Sequence, residues 1–191
     1  MGRNEKNLWN QKYREKSHSS LEPDPFLVSA YSEFFAGSPP GMALDAAGGV
    51  GRHTRWLVER GWRVRLVDVS DAGMELARKN IPEACAASVE FEVADLQERK
   101  DLGHEQYDLI LIFFYLQREL FPALISALKP GGFLFYKTYT VDQQLFEGGP
   151  SHPMHLLRHN ELLQAFASLR ILHYHESIRG KGVAELAARR E

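Results

Sequence analysis

From Met42 to Tyr139 the chain alternates short apolar runs with helix-like segments, and this alternation restricts the fold more than any other feature. "MALDA" (42–46) reads as a short apolar strand, followed by a helix from about Arg52 to Arg60 that Gly61 ends. "WRVRLVD" (62–68) has the alternation of a strand, and a helix follows from Asp71 to Asn80 with Ser70 at its N-cap. "SVEFEVA" (88–94) is a third strand. "YDLILIFF" (107–114) is a fourth, apolar on both faces as a central parallel strand should be. A helix over about Leu116–Leu128, stopped by "KPGG" (129–132), leads to a fifth strand, "FLFYKTY" (133–139). Alternation of this kind implies a doubly wound, Rossmann-like α/β sheet with right-handed crossovers.

Both ends depart from the pattern. Residues 4–16 and 24–36 read as two helices separated by the polar turn "SHSSLEPDP", and Pro39 and Pro40 close this extension. Residues 1–40 are therefore expected to form a helical extension or lid, and residues 41–191 one compact domain. At the other end a helix near 159–167 leads into "LRILHYHESI" (169–178), and "RGKG" turns the chain into "VAELAARR" (183–190). Two extended stretches about a Gly-x-Gly turn suggest an antiparallel edge hairpin, although the alanines would also suit a helix. The expected sheet has about seven strands, mostly parallel.

A chain of 191 residues is one domain by length and can bury a core without staples. Lys and Arg number 23 against 25 Asp and Glu, with no basic stripe, so no nucleic-acid partner is expected. Cys85 stands alone, which excludes an internal disulfide and any CxxC site and points to a reducing, cytoplasmic setting. The opening "MGRNEKN" is too polar for a signal peptide, and Lys6 breaks the myristoylation pattern. The longest apolar run, "LILIFFYL" (109–116), is too short to span a bilayer, so no membrane partner is expected.

The chemistry concentrates in "ALDAAGGVGRH" (43–53), where an aspartate ends a strand and residues with almost no side chains follow. In an open α/β sheet, ligands sit beyond the carboxyl ends of the strands. Gly49 and Gly51 let the backbone turn sharply and approach a ligand, and Ala47 extends the same logic. The following helix offers unsatisfied N–H groups to an anionic moiety. Asp68 ends the second strand 17 residues after Gly51, where an acid can take both hydroxyls of a ribose. Asp95, in "VADL", ends the third. Three successive strands thus finish at aspartates on one rim.

A dinucleotide fingerprint needs a third glycine at position 54, where Thr54 stands. Asp45 before the glycines, Asp95 after the third strand, the C-terminal hairpin and the lack of a second substrate domain instead resemble the class I S-adenosylmethionine-dependent methyltransferases. The resemblance covers nearly the whole chain, through "LDAAGGVG", "VRLVDVS", "VADL", "YDLILIFFYL" and "LKPGG" in family order, with Ala47 in place of the first family glycine. "LWNQKY", "GxGRH" and "KPGGFLFYKTY" look like the tellurite-resistance-type and thiopurine-type small-molecule enzymes.

That resemblance implies S-adenosylmethionine as cofactor, S-adenosylhomocysteine as product and a small-molecule acceptor such as a thiol or chalcogen oxyanion. Ala47, Gly49 and Gly51 would line the methionine moiety, with Asp45 holding the loop or meeting the amino group. Asp68 would take the ribose hydroxyls and Val69 would lie beside the adenine. Asp95 would accept from the adenine amine, and the Leu96 backbone would serve a ring nitrogen. Phe113, Phe114 or Tyr115 would face the sulfonium and the acceptor, Tyr115 being the candidate catalytic group. Trp9 and Tyr13, one helical turn apart, would fold over the site as a lid or merely anchor their helix on the domain.

"SHPMHLLRH" brings His152, His155, Arg158 and His159 together, with His155 and His159 able to share a helix face. No HExxH-type glutamate accompanies them, so no metal is expected, and His155 and Arg158 are candidates for the acceptor pocket. His53 would approach the cofactor or face solvent. The lone Cys85 argues against arsenite as acceptor. Two readings compete with the enzyme: a protein that binds the cofactor without turnover, and an NAD-dependent oxidoreductase. The oligomeric state is not legible.

Overall fold

The computed structural model describes all residues except 1, 16–19, 36, 38 and 100. They fall into two compact units, Met1–Arg99 and Lys100–Glu191. The first contains α1 (Gly2–Arg14), α2 (Pro25–Phe34), β1 (Met42–Ala46), α3 (Arg52–Val58), β2 (Arg63–Asp68), α4 (Asp71–Asn80) and β3 (Val89–Val93). β1 and β2 are parallel with Ala46 opposite Val67, and β2 and β3 are parallel with Asp68 opposite Val93. This register brings the three carboxyl ends level, so the residues that follow each strand share one rim. Beneath it Leu44, Leu57, Leu66 and Met74 are buried, each stabilising the fold by about 1.5–3 kcal/mol.

An aromatic cluster fixes α2. Asp24 caps it, its Oδ1 accepting from Phe26 N at 3.0 Å, and Pro25 fits the first turn, where no amide hydrogen is needed. Trp62 is fully buried and its Nε1 donates to Tyr31 Oη at 2.9 Å. Tyr31 meets Trp56 edge-on at 4.9 Å and stacks on Phe35 at 5.2 Å. The reading of His53 is corrected here. It does not face solvent: it is 3% exposed, and its Nε2 accepts from Asp24 N at 3.3 Å.

The second unit contains β4 (Tyr107–Phe113), α5 (Phe121–Ala127), β5 (Leu128–Tyr139), α6 (Glu161–Ala165), β6 (Arg170–Ser177) and β7 (Val183–Arg189). β4 and β5 are parallel; β7 is antiparallel both to β5 and to β6. The seven strands make one mixed sheet in the order β3-β2-β1-β4-β5-β7-β6, the Rossmann-like arrangement expected. The alanine-rich last segment is a strand, because Ala184, Ala187 and Ala188 are buried there between two neighbouring strands.

Three elements differ from expectation. The helix over 116–128 is a 3-10 turn at Arg118–Leu120 followed by α5, with Pro122 in its first turn. The segment Lys129–Gly132 does not separate helix from strand but lies within β5, where Gly131 N donates to Arg190 O at 2.7 Å and Arg190 N to Gly132 O at 2.9 Å. The helix expected over 159–167 is likewise shorter, at Glu161–Ala165. No helix among the described residues is long and apolar enough to cross a membrane.

Candidate functional site

The loop after β1 is built by hydrogen bonds from its own aspartates. Asp45 is 1% exposed, and its Oδ2 accepts from Thr54 N at 3.1 Å and Thr54 Oγ1 at 2.7 Å. Burial pushes its pKa up to about 6, against the downward pull of the Thr54 bonds and the Arg52 guanidinium. Its carboxylate therefore ties the end of β1 to the first turn of α3. The Thr54 amide, one of the unsatisfied donors expected for an anion, is taken by Asp45.

Between these anchors Ala47 (φ 57°), Gly49 (φ 57°) and Gly51 (φ 76°) are left-handed. Gly48 is needed for space: a Cβ there would lie 2.7 Å from Asp45 Cγ. Asp68 joins this loop to the next. Its Oδ2 accepts from Gly49 N at 2.8 Å and its Oδ1 from Ser70 N at 2.9 Å. The two oxygens together still have acceptor capacity for a hydroxyl donor. Burial raises this carboxyl's pKa too, and the backbone donors of Ser70, Gly49 and Val69 oppose the shift.

α1 docks on the same place. Ser70 caps α4, accepting from Gly73 N at 2.9 Å, and its hydroxyl donates to Asn10 Oδ1 at 2.6 Å. Asn10 Oδ1 also accepts from Ala72 N at 3.0 Å. One turn on, Tyr13 is 7% exposed, with its ring against Gly73 and its hydroxyl against Gly49. Burial, then the nearby Asp68, pushes the phenol's pKa far up, so it stays protonated. Trp9 stacks on Tyr13 at 5.6 Å, with Lys12 Nζ 4.4 Å from the Trp9 ring.

Asp95 is half-buried, and its Oδ1 accepts from Gln97 N at 2.9 Å. Leu96 beside it is buried and Val69 half-buried. In the second unit Phe113 is buried, and Phe114 follows at φ 59°. Phe114 N donates to Lys137 O at 2.7 Å, and Tyr136 Oη donates to Tyr115 O at 2.9 Å. A bulky residue in the left-handed region costs energy, and its neighbours hold it there.

Residues 43–132 match a family model described as a methyltransferase domain. That segment is a methyltransferase domain. It lies within the seven-stranded Rossmann-like sheet, and the family match supports a methyl-transferring enzyme. No protein of curated function matches the sequence. Solved structures do. TehB from Haemophilus influenzae superposes with a TM-score of 0.71 at 17% identity, over 95% of this chain and 67% of that one. A methyltransferase from Mesorhizobium loti gives 0.69 at 20%, over 85% and 98%. The 1,6-didemethyltoxoflavin-N1-methyltransferase from Burkholderia thailandensis gives 0.67 at 18%, over 97% and 86%. At these identities the likeness is one of fold.

The methyltransferase's histidine-rich loop is arranged differently from the helix face expected. His155 ends a short 3-10 helix (Pro153–His155) and lies 6.2 Å, ring to ring, from His152. His159 lies beyond that helix and bonds Asp142 at 2.9 Å. Arg158 points outward, its side chain 79% exposed and 3.6 Å from Glu161. No group of three metal-ligating side chains exists among the described residues.

What fixes this loop in the methyltransferase is Arg118. Its Nε donates to Glu161 Oε1 at 2.5 Å, its Nη2 to Glu161 Oε2 and Leu156 O at 2.9 Å, and its Nη1 to Met154 O at 3.1 Å. Arg118 and Glu161 gave no sequence signal, because they lie 43 residues apart. Neither did Asn10. Thr54 was legible, but only as the residue that breaks a dinucleotide fingerprint; its actual work is to hold Asp45.

Proposed function

We propose that this methyltransferase transfers a methyl group to a small-molecule acceptor, a thiol or chalcogen oxyanion, by in-line displacement. The observation that carries the reading is the loop of Ala47, Gly49 and Gly51, whose left-handed residues carry almost no side chain of their own and which Asp45 and Asp68 fix by hydrogen bonds. A nearly bare peptide suits the methionine end of S-adenosylmethionine. In this reading Asp68 uses its remaining lone pairs for the ribose, with Val69 beside the adenine, and Asp95 and Leu96 serve the adenine edge. Trp9 and Tyr13 form a lid over the cofactor, and residues 1–40 are the extension that carries it onto the 41–191 domain. The didemethyltoxoflavin methyltransferase, similar in fold and solved with 1,6-didemethyltoxoflavin bound, supports a small acceptor.

S-adenosylmethionine supplies an activated methyl on a sulfonium, so the protein's part is alignment and exclusion of water. Alignment alone is worth up to about 7–11 kcal/mol. In transfer to a thiolate, the sulfur lone pair forms the bond to the methyl carbon while the methyl–sulfonium bond breaks and leaves its pair on the donor sulfur. Two thioethers result and no proton is released. A thiolate thus needs no general base, in keeping with a site whose buried acids are engaged in holding the backbone. Phe113, Phe114 and Tyr115 would frame the acceptor, Tyr115 nearest the reacting atoms, with His155 and Arg158 at the outer rim. A cytoplasmic setting fits the lone Cys85.

The test is a thermal shift with S-adenosylmethionine, S-adenosylhomocysteine and NAD, followed by a labelled-methyl screen of thiols, tellurite, selenite and aromatic amines. Ligand at 100 times its dissociation constant adds about 2.7 kcal/mol. Stabilisation by NAD alone would overturn the reading; tight cofactor binding with no acceptor turned over would favour a cofactor-binding protein instead.

A further inference from the structure

The rim of the second unit gathers positive charge around one strained aromatic ring. Phe114 holds a left-handed backbone and tilts against Tyr139, their centroids 5.1 Å apart. Two ammonium groups converge on the Phe114 ring: Lys137 Nζ at 5.8 Å and Lys181 Nζ at 5.7 Å from its centroid. They arrive from different elements. Lys137 comes from the end of β5, while Lys181 stands on the turn between β6 and β7.

Their surroundings differ. The Lys137 side chain is 13% exposed and pairs at 2.9 Å with Glu185 Oε1, its cross-strand partner on β7. The other oxygen of Glu185 lies 4.0 Å from His173 Nε2. Lys181 is exposed and has no ion pair among the described residues. Lys181 therefore brings to the ring a positive charge that no ion pair among the described residues engages. The turn carrying Lys181 is held in place: Gly182 N donates to Gln143 Oε1 at 3.1 Å, and Thr140 N to Gly182 O at 3.0 Å. Lys181 is thus presented on a fixed backbone, next to the Phe114–Tyr115 segment that Lys137 O and Tyr136 Oη fix in turn.

We propose that this Phe114–Lys137–Lys181 cluster is the acceptor subsite, and that it selects a small acceptor carrying a negative charge. The inference deepens the methyltransferase reading and rests on it. Lys137, paired with Glu185, lines the subsite. Lys181 supplies the uncompensated charge, which steers the anion inward and falls in influence as salt rises. Phe114 offers the acceptor an apolar flank.

The probes are 4-mercaptobenzoate and its neutral methyl ester, which share a nucleophile and differ in charge. Their affinities for the wild-type protein saturated with S-adenosylhomocysteine are compared with those for Lys181→Gln, and methyl transfer is measured on the same pair. The carboxylate probe is expected to bind about tenfold tighter than the ester at low salt, and Lys181→Gln to reduce that ratio threefold to tenfold. S-adenosylhomocysteine affinity is expected to stay within twofold. Raising the salt should narrow the wild-type ratio and leave that of the variant nearly unchanged. Equal affinities for the two probes, no binding of the carboxylate probe, or a ratio untouched in Lys181→Gln would overturn the proposal. Turnover of the ester without charge preference would sink this subsite while leaving the methyltransferase reading intact; failure to bind S-adenosylhomocysteine would remove that reading itself.

Discussion

The Tyr13 hydroxyl rests against Gly49 on the side where any other residue would carry its Cβ. An N-terminal helix and the glycine loop are thereby fitted to each other, since Gly49 also needs its left-handed φ of 57°. Gly49→Ala is expected to combine a backbone penalty of about 1–2 kcal/mol with displacement of Tyr13. Chemical denaturation should show a loss of at least that size, and calorimetry a loss of S-adenosylhomocysteine binding. Tyr13→Ala in the Gly49→Ala background should recover part of the stability.

Ala47 presents the opposite case. It is left-handed without being glycine, so Ala47→Gly relieves strain and is expected to stabilise the fold by about 1 kcal/mol. A lower denaturation midpoint would show that the Ala47 methyl makes compensating contacts.

Asp45 ties stability to pH. Its folded pKa of about 6 stands above the 3.8 of an ordinary aspartate, so the folded state binds the extra proton. Its contribution is fully present below pH 4 and is lost as pH rises through 6, on the order of 2–3 kcal/mol in all. Relative to Asp45→Asn, the wild type should lose stability between pH 4 and 7; parallel curves for the two proteins would show that the carboxyl does not titrate there.

Asp68 is engaged with Gly49 N and Ser70 N, which makes truncation ambiguous. Asp68→Asn keeps an acceptor oxygen and removes the charge. We expect S-adenosylhomocysteine binding to weaken about tenfold or more, with helical circular dichroism unchanged. Full affinity in this variant would remove the ribose role.

Arg118 holds two loop carbonyls and the carboxylate of Glu161, which is only 6% exposed. Arg118→Met removes the bidentate partner of that buried acid, leaving it only Arg158, and is expected to cost about 3 kcal/mol. The double variant Arg118→Met/Glu161→Gln should be more stable than the single one, and limited proteolysis should show new cleavage near residues 153–158 in both.

Short-range patterns were the part of this molecule that the sequence displayed. Ser70 caps α4 as read, because a cap depends on residues three apart. β1 falls at Met42–Ala46 and α4 at Asp71–Asn80 as expected, since apolar period and glycine punctuation are local. Lys129–Gly132 misled for the same reason: proline and glycine speak for a stop, but pairing with Arg190, some 60 residues away, draws the segment into β5. At the site, the sequence displayed which acids end strands but not what each would hold. Asp45 turns inward to Thr54, and the bond between Asn10 and Ser70 spans 60 positions. Such partners are set by how elements stack, which no single stretch encodes.

The order β5-β7-β6 has an implication for how the second unit is made. During synthesis β6 leaves the ribosome before the strand that must come to lie between it and β5. Until β7 arrives, β5 offers an open row of backbone groups to the wrong neighbour. β6 carries Arg170, His173, His175 and Glu176, a polar complement that makes premature zippering onto an apolar partner unrewarding. The nascent chain can therefore wait for its intended insertion instead of locking in a shorter, misordered sheet.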